Sequence, residues 1–68
     1  MRYQNLEDEM RARGVSRSDI AHELEVRPNT VTDWLSGKHA ISVANAFAIR
    51  DAFFDGLSVD YLFEDVDS

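Results

Sequence analysis

The chain has no cysteine, one proline, three glycines and one tryptophan in 68 residues. Without cysteine it can form neither a disulfide nor a thiolate metal site, and its two histidines, His22 and His39, are far apart in sequence. The missing thiols fit a cytoplasmic setting. No apolar run approaches the roughly 18 residues of a membrane span, and no signal-peptide apolar segment is present. Runs of β-branched residues with period-two alternation are absent, which argues for an all-α chain. There is no glycine-rich phosphate loop, no metal-ligand spacing and no plausible Ser/His/Asp set. The chain is therefore not expected to be an enzyme or to carry a cofactor. Bases are scarce as well: seven against thirteen acids, a formal net charge of −6. Residues 1–68 read as one domain without linker or repeat, with a core stabilised by only a few kcal/mol net, an order-of-magnitude figure for this size.

What the chain does have is concentrated between Ser16 and Lys38, SRSDIAHELEVRPNTVTDWLSGK. The stretch reads as two short helices joined by a tight turn. Ser16 suits an N-cap, and Asp19 three residues on completes a capping box at the positive end of the helix dipole. Ile20, Ala21 and Leu24 share one helical face. Ala21 is small where two helices must cross, and Val26 in the turn would plug the angle between them. Pro28 suits the first turn of a second helix and holds Arg27 extended. Val31, Trp34 and Leu35 give that helix its apolar face, so Trp34 reads as core rather than as a stacking platform. Gly37 ends the helix, because glycine reaches the left-handed conformation freely. Pro28, Asn29, Thr32 and Asp33 remain outward. Short polar side chains there are what reading a DNA major groove requires.

The pattern V-S-R-S-D-I-A-x-x-L-x-V-x-x-x-T-V-x-x-W-x-x-G-K resembles the helix-turn-helix proteins of the Cro/phage-repressor (Xre) family, and the resemblance runs from about Leu6 to Leu62. It implies a compact five-helix, lambda-repressor-like DNA-binding domain. Three departures stand out. Glu25 occupies the turn position that favours glycine and costs roughly 1 kcal/mol if left-handed. The segment from Ser42 to Gly56 is about two residues longer than usual, which leaves the angle of the last helix open. Met10 and Leu35 stand where many relatives place a buried arginine–glutamate pair. Both partners have become apolar together, a tolerated exchange.

Outside the motif, Asn5 reads as the cap of a first helix through about Arg13, residues 1–4 as frayed, and Leu6 and Met10 as its inner face, which Tyr3 extends. Gly14 closes that helix and Val15 enters the core. Ser42 caps a fourth helix to about Phe54, with Val43, Ala46, Phe47, Ile49, Phe53 and Phe54 as its apolar positions and Asn45, Arg50 and Asp51 outside. After the Asp55–Gly56 break Leu57 re-enters the core, Ser58 caps a short fifth helix, and 64–68 reads as a disordered acidic end. Charge is uneven along the chain. After Arg50 there are six acids and no base, whereas from Arg11 to Lys38 five bases face four acids.

For DNA, Asn29 can pair with adenine N6 and N7, Thr32 and Pro28 can meet a thymine methyl, and Asp33 can accept from cytosine N4 although it also repels phosphate. Arg17, Arg27, Thr30, Ser36, Lys38 and His39 are the backbone-contact candidates. His22 reads as a surface residue. Relatives pair through the last helix, where Tyr61 and Phe63 flank Leu62 on an element too short to bury all three. The expected partners are a pseudo-palindromic double-stranded operator and a second copy of the chain. With one domain, no effector-binding or self-cleaving module is expected. The rival reading is a protein-interaction module, such as an antitoxin or a regulator acting through a protein partner, for which an acidic surface is suited.

Overall fold

In the computed structural model, which describes residues 3–64, five helices follow one another without a strand: α1 (Gln4–Arg13), α2 (Arg17–Leu24), α3 (Pro28–Ser36), α4 (Val43–Phe53) and α5 (Val59–Leu62). Three serines start helices as expected. Ser16 Oγ accepts from Asp19 N at 3.0 Å while Ser16 N donates to Asp19 Oδ2 at 2.9 Å, the reciprocal box that satisfies two amides left over at a helix start. Ser42 Oγ accepts from Asn45 N, and Ser58 Oγ from Tyr61 N. Gly37 ends α3 at φ 84°, where a side chain would crowd the following carbonyl. Glu25 ends α2 at φ 56° without that freedom, as its place in the turn implied.

α2 packs on α3 and on α4, and α5 packs on α1 and α4. Leu6, Ile20, Val31, Ile49, Phe54 and Leu62 are almost wholly removed from solvent, each contributing roughly 2 kcal/mol of burial. Trp34 (7% exposed) lies in the same core, as do Met10 and Leu35. Val15, Leu24, Val26 and Leu57 pack against its edge.

The segment before Gly56, expected to be longer than usual, ends in the core. α4 stops at Phe53, Phe54 N donates to Arg50 O at 2.8 Å, and the Phe54 side chain turns fully inward. Leu57 N then closes on Phe54 O at 3.0 Å, and α5 is delivered onto α1.

Five expectations need correction. Asn5 is not the first cap: Tyr3 is, without a side-chain bond, and Asn5 lies inside α1 with its amide donating to Tyr61 O at 2.8 Å and to Glu64 Oε2 at 3.2 Å. Fraying does not reach residues 3 and 4. Tyr3 is 5% exposed with its ring edge-on to Phe63 at 5.4 Å, and Gln4 begins α1; residues 1 and 2 lie outside the described residues. Val43 (72% exposed) and Phe47 (44% exposed) are not core positions. At 3.6 residues per turn they share a side of α4 turned away from Ala46, Ile49 and Phe53. Conversely, Asn45 and Arg50 are half-buried and only Asp51 of the expected outer trio is exposed. Of the acidic end, Glu64 is held by Asn5, and 65–68 lie outside the described residues.

Candidate nucleic-acid interface

α3 is positioned by its own inner face. Burial of Val31, Trp34 and Leu35 fixes its rotation, and that leaves Pro28, Asn29, Thr32 and Ser36 exposed. Asn29, Thr32 and Ser36 follow at intervals of three and four and so form one stripe. Asp33 and Thr30 sit beside the stripe, half-buried. Thr30 N closes the first turn on Arg27 O at 2.9 Å. The outward row read from the sequence is thus present, with Asp33 set back from it.

The C-terminal end of α3 is organised on one oxygen. The Asp33 carbonyl accepts from Lys38 N at 2.9 Å, from His39 N at 3.3 Å and from Ser36 Oγ at 3.2 Å. Lys38 and His39 are exposed and held next to the stripe by this turn. Ser36 is exposed too, but its hydroxyl proton is engaged on its own helix, so it must turn away from Asp33 to donate to a phosphate.

At the other end, Arg17 opens α2 and is exposed. Arg17, Thr32 and Ser36 border one cleft whose wall includes Leu35. A second cleft continues from it past Met10, Val15 and Ser18. The fold therefore brings an α2 cation beside the α3 stripe, and Met10 and Leu35 both line the second cleft. Two residues on this rim were not singled out in the sequence. Ser18 is an exposed hydroxyl in the first turn of α2, and Glu7 of α1 borders both clefts. Their one sequence signal is register: Glu7 precedes Met10 by three and Ser18 follows Arg17, so each flanks a residue already placed.

The lysine and arginine side chains among the described residues divide into two groups. Arg11 pairs with Asp8 at 3.6 Å, Arg13 with Glu9 at 3.4 Å and Arg50 with Asp51 at 2.7 Å. Among the described residues, Arg17, Arg27 and Lys38 have no carboxylate partner, and all three border α3 or open α2. The nearest capping acid, Asp19, is committed elsewhere: the Ser16 amide and then the Ser16 hydroxyl bond its carboxylate and lower its pKa below the usual value. A chain with an excess of acids thus keeps three free positive charges around one exposed polar stripe.

Comparison of the chain with curated proteins and with solved structures found no match. A family model described as helix-turn-helix matches residues 6–62, and no helix among the described residues is long and apolar enough to cross a membrane. That match spans all of α2 and α3 together with the helices that hold them, and the chain belongs to the Cro/phage-repressor (Xre) family of helix-turn-helix proteins, whose domains are DNA-binding regulators.

Proposed function

We propose that the chain is a sequence-specific regulator of transcription, of bacterial or phage type, that occupies an operator through α3 in the manner of a small Cro-like repressor. The observation that carries this reading is the set of free cations, Arg17, Arg27 and Lys38, around the exposed stripe of α3. Phosphate contacts position a reading helix and base edges confer sequence preference. In this division Arg17, Arg27, Lys38 and His39 anchor the backbone, with Thr30 and Ser36 as shorter hydroxyl contacts. Pro28, Asn29, Thr32 and Asp33 face the major groove, Asn29 as the adenine reader. The net charge of −6 makes non-specific affinity low, since that term comes from phosphate neutralisation. The chain works where the DNA is, in the cytoplasm of such a cell.

The longest extent of the fold is 30 Å, whereas half-sites on one face of a duplex lie about 34 Å apart. One chain therefore covers one half-site, and a two-fold operator takes two copies. The pairing edge expected from the sequence is Tyr61 and Phe63. Phe63 is half-buried against Tyr3, so the outer side of Tyr61, 40% exposed, is what this edge offers a neighbour.

Selection of duplexes from a random library, followed by fluorescence anisotropy across a salt series, tests the reading. A preferred site with a negative salt slope is expected. Absence of duplex binding even at low salt would hand the chain to the rival reading, a protein-interaction module such as an antitoxin, which the acidic total favours.

A further inference from the structure

α3 contains no arginine or lysine, so the O6 and N7 pair of guanine has no bidentate partner on its exposed stripe. One side chain there presents a donor and an acceptor side by side. It is the amide of Asn29; Thr32 and Ser36 carry hydroxyls, and Pro28 carries carbon alone. The Asn29 amide has no hydrogen-bond partner among the described residues, so both of its ends are available together. Its mount is rigid. Pro28 fixes the backbone before it, Thr30 N closes the first turn on Arg27 O at 2.9 Å, and the buried Val31, Trp34 and Leu35 hold the rotation of the helix. We infer that methylation at N6 of the adenine opposite Asn29 releases the chain from its operator, with Asn29 as the residue that senses the methyl group. The inference rests on the major-groove reading of Asn29 proposed above.

The amine of adenine has two N–H bonds. One points toward the Watson–Crick partner and the other toward N7, in the major groove. A methyl group on N6 must take the second position if the base pair is to stay intact. It then replaces the proton that the Asn29 oxygen would accept, and it crowds N7, to which the Asn29 amide would donate. Both bonds of the pair are lost at once. An amide docked against the duplex without them is desolvated and unpaired, which costs more than a contact left unmade in water. The phosphate contribution cannot make up the loss. The net charge is −6, and the cations free of carboxylates among the described residues are Arg17, Arg27 and Lys38. That leaves little affinity independent of the bases. A chain of this charge depends on its base contacts, so a mark on one base becomes a large change in occupancy.

The test uses the full chain, the duplex chosen by selection from a random library, and synthetic copies of it carrying N6-methyladenine at one adenine at a time. Fluorescence anisotropy should find a position at which the methyl group weakens binding roughly tenfold to a hundredfold, the range of a lost bidentate pair. It should be the position whose base preference Asn29→Ala relaxes. The salt slope should hold there, since no phosphate contact changes. Asn29→Ala should bind methylated and unmethylated copies alike, with its helical circular dichroism unchanged. Equal binding of all copies by the parent, while Asn29→Ala still relaxes preference at one base pair, overturns the inference and leaves the reading standing. A methyl effect that persists in Asn29→Ala overturns it too, because DNA shape would then carry the effect. A parent that binds no duplex at low salt, or an Asn29→Ala that relaxes preference nowhere, removes the reading and the inference with it.

Discussion

The Tyr61 hydroxyl donates to Glu9 Oε2 at 3.0 Å, joining α5 to α1 across 52 residues of sequence. The same carboxylate takes Arg13 Nε on its other oxygen at 3.4 Å, and the Arg13 guanidinium lies over the Phe54 ring at 5.6 Å. One half-buried glutamate thereby joins the last helix to Phe54, just past the end of α4. The amide of Asn5, bonded to Tyr61 O, makes a second stitch along the same seam.

This seam has a pH signature. Donation to Glu9 comes first, and loss of solvent and the nearby carboxylates add to it; together they raise the Tyr61 pKa above its ordinary 10.0. A raised pKa means stability that is fully present below the unfolded value and lost as pH rises through the folded one. Stability should thus hold to about pH 10 and fall above it. Tyr61→Phe should remove this alkaline component and leave the neutral-pH fold in place. Urea midpoints measured from pH 8 to 11 on both proteins check it; parallel curves would discount the bond.

Met10 and Leu35 are buried on the walls of one cleft. Leu35→Glu alone should cost roughly 3 kcal/mol, because it buries a charge with no counter-ion. Adding Met10→Arg should recover a good part of that loss, a coupling that a double-mutant cycle reads directly. Equal urea midpoints for Leu35→Glu and the parent would show that position 35 is not buried as described.

Glu25 holds φ 56° without the freedom of glycine. Glu25→Gly should raise stability by up to about 1 kcal/mol, the left-handed cost less the entropy a glycine loses on folding. Thermal unfolding of the two proteins decides the sign.

For DNA, Arg17→Ala and Lys38→Ala should weaken binding to every sequence and flatten the salt slope by about one unit each. Asn29→Ala should cost roughly 1–3 kcal/mol on the selected site and little elsewhere. Asp33→Ala should raise non-specific affinity and lower discrimination. Equal losses for Asn29→Ala and Arg17→Ala on all duplexes would dissolve the division between reading and anchoring.

Much of this was legible in the residues because it is local. Helix starts at Ser16, Ser42 and Ser58 and the stop at Gly37 each follow from a few neighbouring side chains, whereas the left-handed Glu25 was implied by the family resemblance. The α3 stripe was legible too, since Val31, Trp34 and Leu35 decide which side faces out. Asn5 misled because it satisfies a local capping rule while its partners stand 56 and 59 residues away. Tyr3 looked terminal, yet its ring meets Phe63 from the far end of the chain. Val43 and Phe47 were assigned inward on hydrophobicity. On a helix apolar on both sides, composition cannot say which side the core takes.

The Asp33 carbonyl, which gathers Lys38 N, His39 N and the Ser36 hydroxyl, acts as a gauge block. The distance from the cation at 38 to the side chains of α3 is set during folding, before any duplex arrives. Ordering entropy for that loop is then spent once, in the free protein, and is not charged again on docking. If Lys38 grips phosphate and α3 reads bases, as proposed, a site whose phosphate lies at the wrong offset from its bases must deform to be bound, and the spacing between grip and readout becomes a selectivity criterion in its own right.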